Sequence, residues 1–122
     1  MNKKNIVHDV VNAVMLNSTD FVSVKASLRE GRVIGVLVYT DGTENINNNL
    51  ISVGFKSGNK GYEEEPVHVH NYKHPDNGYE GLRPVNFIAG RTVFVEFTAL
   101  KKLGNDSAFQ VVFVIDTTEE NY

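Results

Sequence analysis

Three imidazoles, His68, His70 and His74, fall within the run Pro66-Val67-His68-Val69-His70-Asn71-Tyr72-Lys73-His74-Pro75, directly after the acid run Glu63-Glu64-Glu65. They are three of the four histidines in the chain. Neutral imidazole ligates Zn, Cu, Ni or Fe, and it changes charge near physiological pH. Read as a strand, 67–72 places His68, His70 and Tyr72 on one face and Val67 and Val69 on the other. The valines then face a core, and the histidines face solvent or a partner. His68 and His70 can chelate one ion as an i, i+2 pair. A straight strand, at about 3.3 Å per residue, would carry His74 about 20 Å from His68, so His74 joins them only if the chain bends at 71–73. Glu63, Glu64, Glu65, Asp76 and Glu80 are the acids close enough in sequence to complete a site. The competing reading, ranked above the metal, is an exposed strand face that responds to pH at an interface.

Other catalytic chemistry has little to rest on. There is no cysteine, hence no thiol nucleophile, thiolate ligand or disulfide. No nucleophile elbow, P-loop or dinucleotide fingerprint occurs. Asp41, Asp76, Asp106 and Asp116 are isolated and mostly sit beside turn residues, without the spacing of a calcium loop. Tyr62, Tyr72 and Tyr79 border the segment 73–84, where rings can stack on sugars or fill a protein interface.

Around this segment the chain reads mainly as strands. Residues 21–28 alternate in polarity, 33–40 are nearly all apolar, 50–56 form another strand, 85–88 a brief one, and 92–100 alternate cleanly before a last strand over 108–116. Glu30-Gly31, Asp41-Gly42, Ser57-Gly58-Asn59, Ala89-Gly90 and Gly104-Asn105-Asp106 mark the turns. Residues 5–16 carry Ile6, Val7, Val10, Val11, Val14 and Met15. That spacing of four predicts a short helix with one apolar face, although β-branched valines weaken it. Such a helix needs a surface to dock on, its own sheet or a neighbouring subunit, which makes Ile6, Val10 and Val14 candidate interface residues. Tyr72 and Tyr79 are the others. The expected architecture is an all-β, antiparallel, jelly-roll-like β-sandwich of about seven or eight strands with one short N-terminal helix. It forms a single domain over 1–122, in which 1–20 can serve as an interaction arm.

Length and composition agree with one domain that buries its own core. The chain has 122 residues, of which 41% are apolar and 22% charged. Net charge is -3, and the basic pairs are only Lys3-Lys4 and Lys101-Lys102, which argues against nucleic acid as a partner. No apolar run reaches the roughly 18 residues of a membrane helix. His8, Asp9 and Asn12 interrupt any signal-peptide core, so membrane partners are not expected and Asn17-Ser18-Thr19 and Asn105-Asp106-Ser107 read as chance glycosylation patterns.

Two resemblances bear on function. Gly61, His68, His70 and Gly78, with His74 near the position of a glutamate, resemble the first motif of the cupins: a glycine, a His-x-His pair, a glutamate and another glycine. The likeness implies a divalent transition metal held by His68, His70 and His74. The chain departs from it in having a histidine for the glutamate, one extra residue in the first interval, and no histidine over 81–97 for the second cupin motif. In size, strand pattern, Asn-rich loops and lack of cysteine, the whole chain resembles small β-sandwich virion proteins of tailed bacteriophages, such as capsid decoration proteins. That implies a non-enzymatic structural protein with no cofactor, located in the virion, whose partners are copies of itself and a capsid or tail protein. Outside a virion the expected location is the cytoplasm. A carbohydrate-binding module using the tyrosine-bordered loop is the third expectation.

Overall fold

A computed structural model describes residues 5–40, 49–57, 61–72, 83–89 and 92–118. Their structure is all-β and antiparallel. The strands are β1 (Ile6–Met15), β2 (Phe21–Ser27), β3 (Gly31–Thr40), β4 (Ser52–Ser57), β5 (Tyr62–His68), β6 (Arg83–Ala89), β7 (Thr92–Thr98) and β8 (Ser107–Asp116). A single 3-10 turn, Val69–Asn71, follows β5. The strands form two four-stranded sheets, in the orders β1-β8-β3-β6 and β2-β7-β4-β5. Each strand of the first half pairs with one of the second: β1 with β8, β2 with β7, β3 with β6, β4 with β5. The described strands therefore pair as one antiparallel ribbon, from β1 with β8 to β4 with β5, shared between two sheets.

Alternation explains the layers. In β7, Val93, Val95 and Phe97 are buried, and in β8 Phe109, Val111, Phe113 and Ile115 are. A strand sends such alternate residues to one face. Rings from opposite sheets meet between the layers. Phe55 of β4 packs edge-on against Phe113 of β8 with centroids 5.2 Å apart. Phe97 of β7 stacks on Phe109 of β8 at 4.3 Å. Removing these large apolar surfaces from water supplies the main drive to hold the layers together.

The helix expected over 5–16 does not form. Those residues are β1, a ten-residue strand paired in unbroken register with β8 from Ile6↔Asp116 to Met15↔Ser107. A spacing of four is also an even number, so Ile6, Val10 and Val14 share a face in a strand as they would in a helix. The valines that weaken a helix favour a strand, and the β8 ladder takes up the backbone hydrogen bonds.

The strand expected over 67–72 is also displaced. β5 ends at His68, and the chain turns at once into the 3-10 turn. In such a turn residues i and i+3 eclipse, and Val69 and Tyr72, so spaced, are both fully buried. The Val69 N–H donates to the Ile51 carbonyl at 2.9 Å, and the Tyr72 N–H to the Val69 carbonyl at 2.9 Å. Burying two apolar side chains three apart is what bends the chain here.

Candidate protein-interaction surface

The turn after β5 separates the backbone settings of His68 and His70. His68, half-buried, ends β5 opposite Ser52 of β4, and its carbonyl accepts the Asn71 side-chain amide at 3.1 Å. His70 lies inside the 3-10 turn, so the strand argument that set it on one face with His68 does not apply. His74, Tyr79, Asp76 and Glu80 lie outside the described residues. Glu63 accepts a hydrogen bond from the Ser57 hydroxyl at 2.7 Å. Among the described residues no three His, Asp or Glu side chains are grouped to hold a metal ion.

Tyr72 is a core residue and not, as expected, an interface residue. It is fully buried and packs edge-on against Phe55 at 5.4 Å, while its carbonyl accepts the Val38 N–H at 2.8 Å. Tyr62 is also engaged. Its hydroxyl donates to Glu96 at 2.7 Å, and the Lys56 ammonium stands 5.9 Å from its ring centre. The ring crosses the sheet over Gly54, where an added Cβ would come within 3.1 Å of it and 2.9 Å of Pro66. The hydrogen bond to Glu96, helped by partial desolvation and nearby negative charge, raises the Tyr62 pKa above its ordinary value. A phenol held neutral in this way braces β5 against β7 and is a poor nucleophile. Of the three tyrosines proposed to meet a sugar, one is buried, one is tied down, and Tyr79 is outside the described residues.

Among the described residues, a row of exposed apolar side chains lies on the other sheet, on the face turned away from the core, while Phe21, Leu50 and Leu100 are exposed elsewhere. Ile6, Val10 and Val14 of β1 all point there, 41%, 51% and 47% exposed. Their neighbours across the sheet follow from the register. Val10 lies opposite Val112, and Val112 opposite Leu37 of β3. Val114 lies beside His8 on one side and Gly35 on the other, and Gly35 faces Pro84 of β6. Ile88 of β6 closes the row that begins at Ile6, with Asp116 and Arg32 between them. Leu37 and Val114 are only 3% and 4% exposed, yet neither belongs to the core between the sheets. This sheet is therefore apolar on both faces over its central strands. A polar row, Asn12, Gln110 and Tyr39, crosses it, tied by a 3.1 Å bond from the Gln110 amide to Asn12.

Ile6, Val10 and Val14, expected on the apolar face of a helix, are thus exposed on a strand instead. Leu37, Val112 and Val114 were not singled out. Their signal was the unbroken apolar runs Val36-Leu37-Val38 and Val111 to Ile115, since a strand with one wet face alternates and these do not. Comparison with known proteins finds no family model that matches this chain, no matching curated protein and no matching solved structure.

Proposed function

We propose that this chain is a non-enzymatic assembly protein, a jelly-roll β-sandwich that works by binding other proteins through the outer face of the β1-β8-β3-β6 sheet. Its partners are copies of itself and a capsid or tail protein of a tailed-phage particle, and its place is the virion. The pairing of β1 with β8, β2 with β7, β3 with β6 and β4 with β5 supports the jelly-roll reading, since that fold is a hairpin ribbon rolled into two sheets. Jelly rolls serve as capsid proteins, lectins and cupins alike, so function is argued from the surface and not from the fold.

The observation that carries this reading is the exposed row Ile6, Val10 and Val14, continued inward by the partly exposed Val112. Contiguous apolar surface rimmed by polar residues marks a protein contact. A flat apolar strand face offers large area and little directed chemistry, which suits assembly better than catalysis. The virion reading is tested by peptide mass spectrometry of purified particles from the phage that encodes the chain. It predicts the protein in stoichiometric amount, and particles free of it would sink the reading. The surface itself is tested by V10K and V14K: both should fold, as judged by circular dichroism, and both should lose binding to particles. Full binding by both would remove the face from consideration.

A further inference from the structure

Among the described residues no strand pairs with the outer edge of β1, and that edge lacks the guards the other three sheet edges carry. β5 carries Pro66, the acids Glu64 and Glu65, and register breaks at Val53/Phe55 and Phe55/Lys56. β6 carries Pro84, and its pairing with β3 is broken between Val33 and Gly35. β2 is seven residues long and presents Lys25. Prolines, bulges, charges and short strands are the devices that keep sheet edges from pairing with other chains. β1 has ten residues, no proline and no register break, and from Val10 to Leu16 it bears no charge.

The parity of its backbone groups is fixed. The Thr117 N–H donates to the Asn5 carbonyl at 2.8 Å, which makes Asn5 and Thr117 a hydrogen-bonded pair. In an antiparallel ladder such pairs alternate. The odd residues of β1 therefore bond to β8, and the even ones turn their N–H and C=O groups to the open side. The Arg29 guanidinium agrees: it reaches the His8 carbonyl from that side at 3.2 Å while pairing with Asp9 at 2.8 Å. That clasp covers the edge at His8 and leaves Val10, Asn12 and Val14 beyond it. Beside them, between β1 and β2, runs a groove of about 400 Å³ lined by Asp9, Val10, Asn12, Lys25, Ser27 and Leu28, among others.

We propose that this edge pairs antiparallel with β1 of a second copy, about a twofold axis at Asn12. The proposal rests on the reading of this sheet as a protein-binding surface and names its partner. Two copies of one strand laid antiparallel place residue i opposite a residue whose number makes a constant sum with i. Only a register that sets even residues against even residues joins the open backbone groups. With Asn12 opposite Asn12, Val10 lies opposite Val14 and His8 opposite Leu16, so each exposed apolar residue of the free segment gains a cross-strand neighbour. The absence of charge over 10–16 allows the segment to face itself without like-charge repulsion. The two apolar outer faces then run on as one surface across an eight-stranded sheet, and the Arg29 clasp stops the new ladder at each end. Asn12 accepts from Gln110 through Oδ1, and its amide N–H groups are donors for the Asn12 of the second copy.

Because the chain has no cysteine, single cysteines report this register. Directly opposed residues of a hydrogen-bonded pair have Cα atoms about 5.5 Å apart, within the range of a disulfide. On mild oxidation N12C should link to itself. V10C alone should not, and an equimolar mixture of V10C and V14C should give the mixed dimer. In light scattering, the unmodified chain should show twice its 13.6 kDa mass. V10K, and V10P, which removes an outward N–H and trims an exposed side chain, should weaken the dimer by about tenfold or more while leaving the monomer folded. A monomer at every concentration overturns the pairing, as does V10C linking to itself as fast as N12C. A monomer whose particle binding V10K still abolishes refutes the pairing alone. A chain in which V10K changes neither mass nor particle binding refutes the surface reading as well.

Discussion

At the scale of single residues, the structure separates side chains that brace the fold from those left to act. Tyr62 braces. With its hydroxyl bonded to Glu96, its pKa lies above the ordinary value of about 10. E96Q should lower it, as followed by phenolate absorbance against pH. The sign of the linkage follows from the raised value. The stability this bond adds is complete below pH about 10 and is lost as pH rises through the higher folded-state pKa. Phe113 braces in the interior, against Phe55. F113A should cost about 3–5 kcal/mol in denaturant unfolding, the usual cost of emptying an aromatic site, and a loss well under that would mean the layers collapse to refill it. Ile6, Val10 and Val14 do neither kind of bracing, which is why they carry the functional argument.

At the scale of elements, the strands that alternate cleanly were legible in the sequence: β2 and β7 stand where the period of two places them, and β8 where its apolar run does. β1 was misread because Ile6, Val10 and Val14 satisfy helix and strand alike, and what separates the two is the partner strand some hundred residues on, which no local window contains. The turn at 69–71 was missed because Val67, Val69 and His68, His70 mimic alternation. The burial of Tyr72, three residues beyond Val69, decides the matter and depends on tertiary packing. The strand geometry assumed for His68 and His70 goes with it, while His74 lies outside the described residues. Gly31 shows the opposite case, a turn signal that holds. It opens β3 with φ of 153°, and an added Cβ would meet the Asp116 carbonyl oxygen at 2.6 Å and Ile115 Cγ2 at 2.8 Å. G31A should therefore lower stability by about 1–3 kcal/mol through backbone strain and crowding at the β3–β8 seam, measurable by chemical denaturation. An unchanged midpoint would show that β3 can shift to make room.

At the scale of the whole molecule, one ribbon supplies both the sealed and the open parts. The turn-side strands β4 and β5 end in a protected edge. The strands nearest the chain ends, β1 and β8, form the sheet that is apolar on both faces. The same winding sets how the molecule bears load. Asn5 donates to Thr118 Oγ1 at 3.0 Å, and Thr117 donates back to the Asn5 carbonyl at 2.8 Å, so the two ends of the described chain lie side by side, at the mouth of one antiparallel ladder. A force that draws these ends apart acts on that ladder as on a zipper. It peels β1 from β8 one pair at a time from Ile6 and Asp116 onward, instead of shearing all the pairs at once. Tethered by its two ends, this protein yields at low force, whereas a grip across the faces of its sheets meets the packed aromatic core.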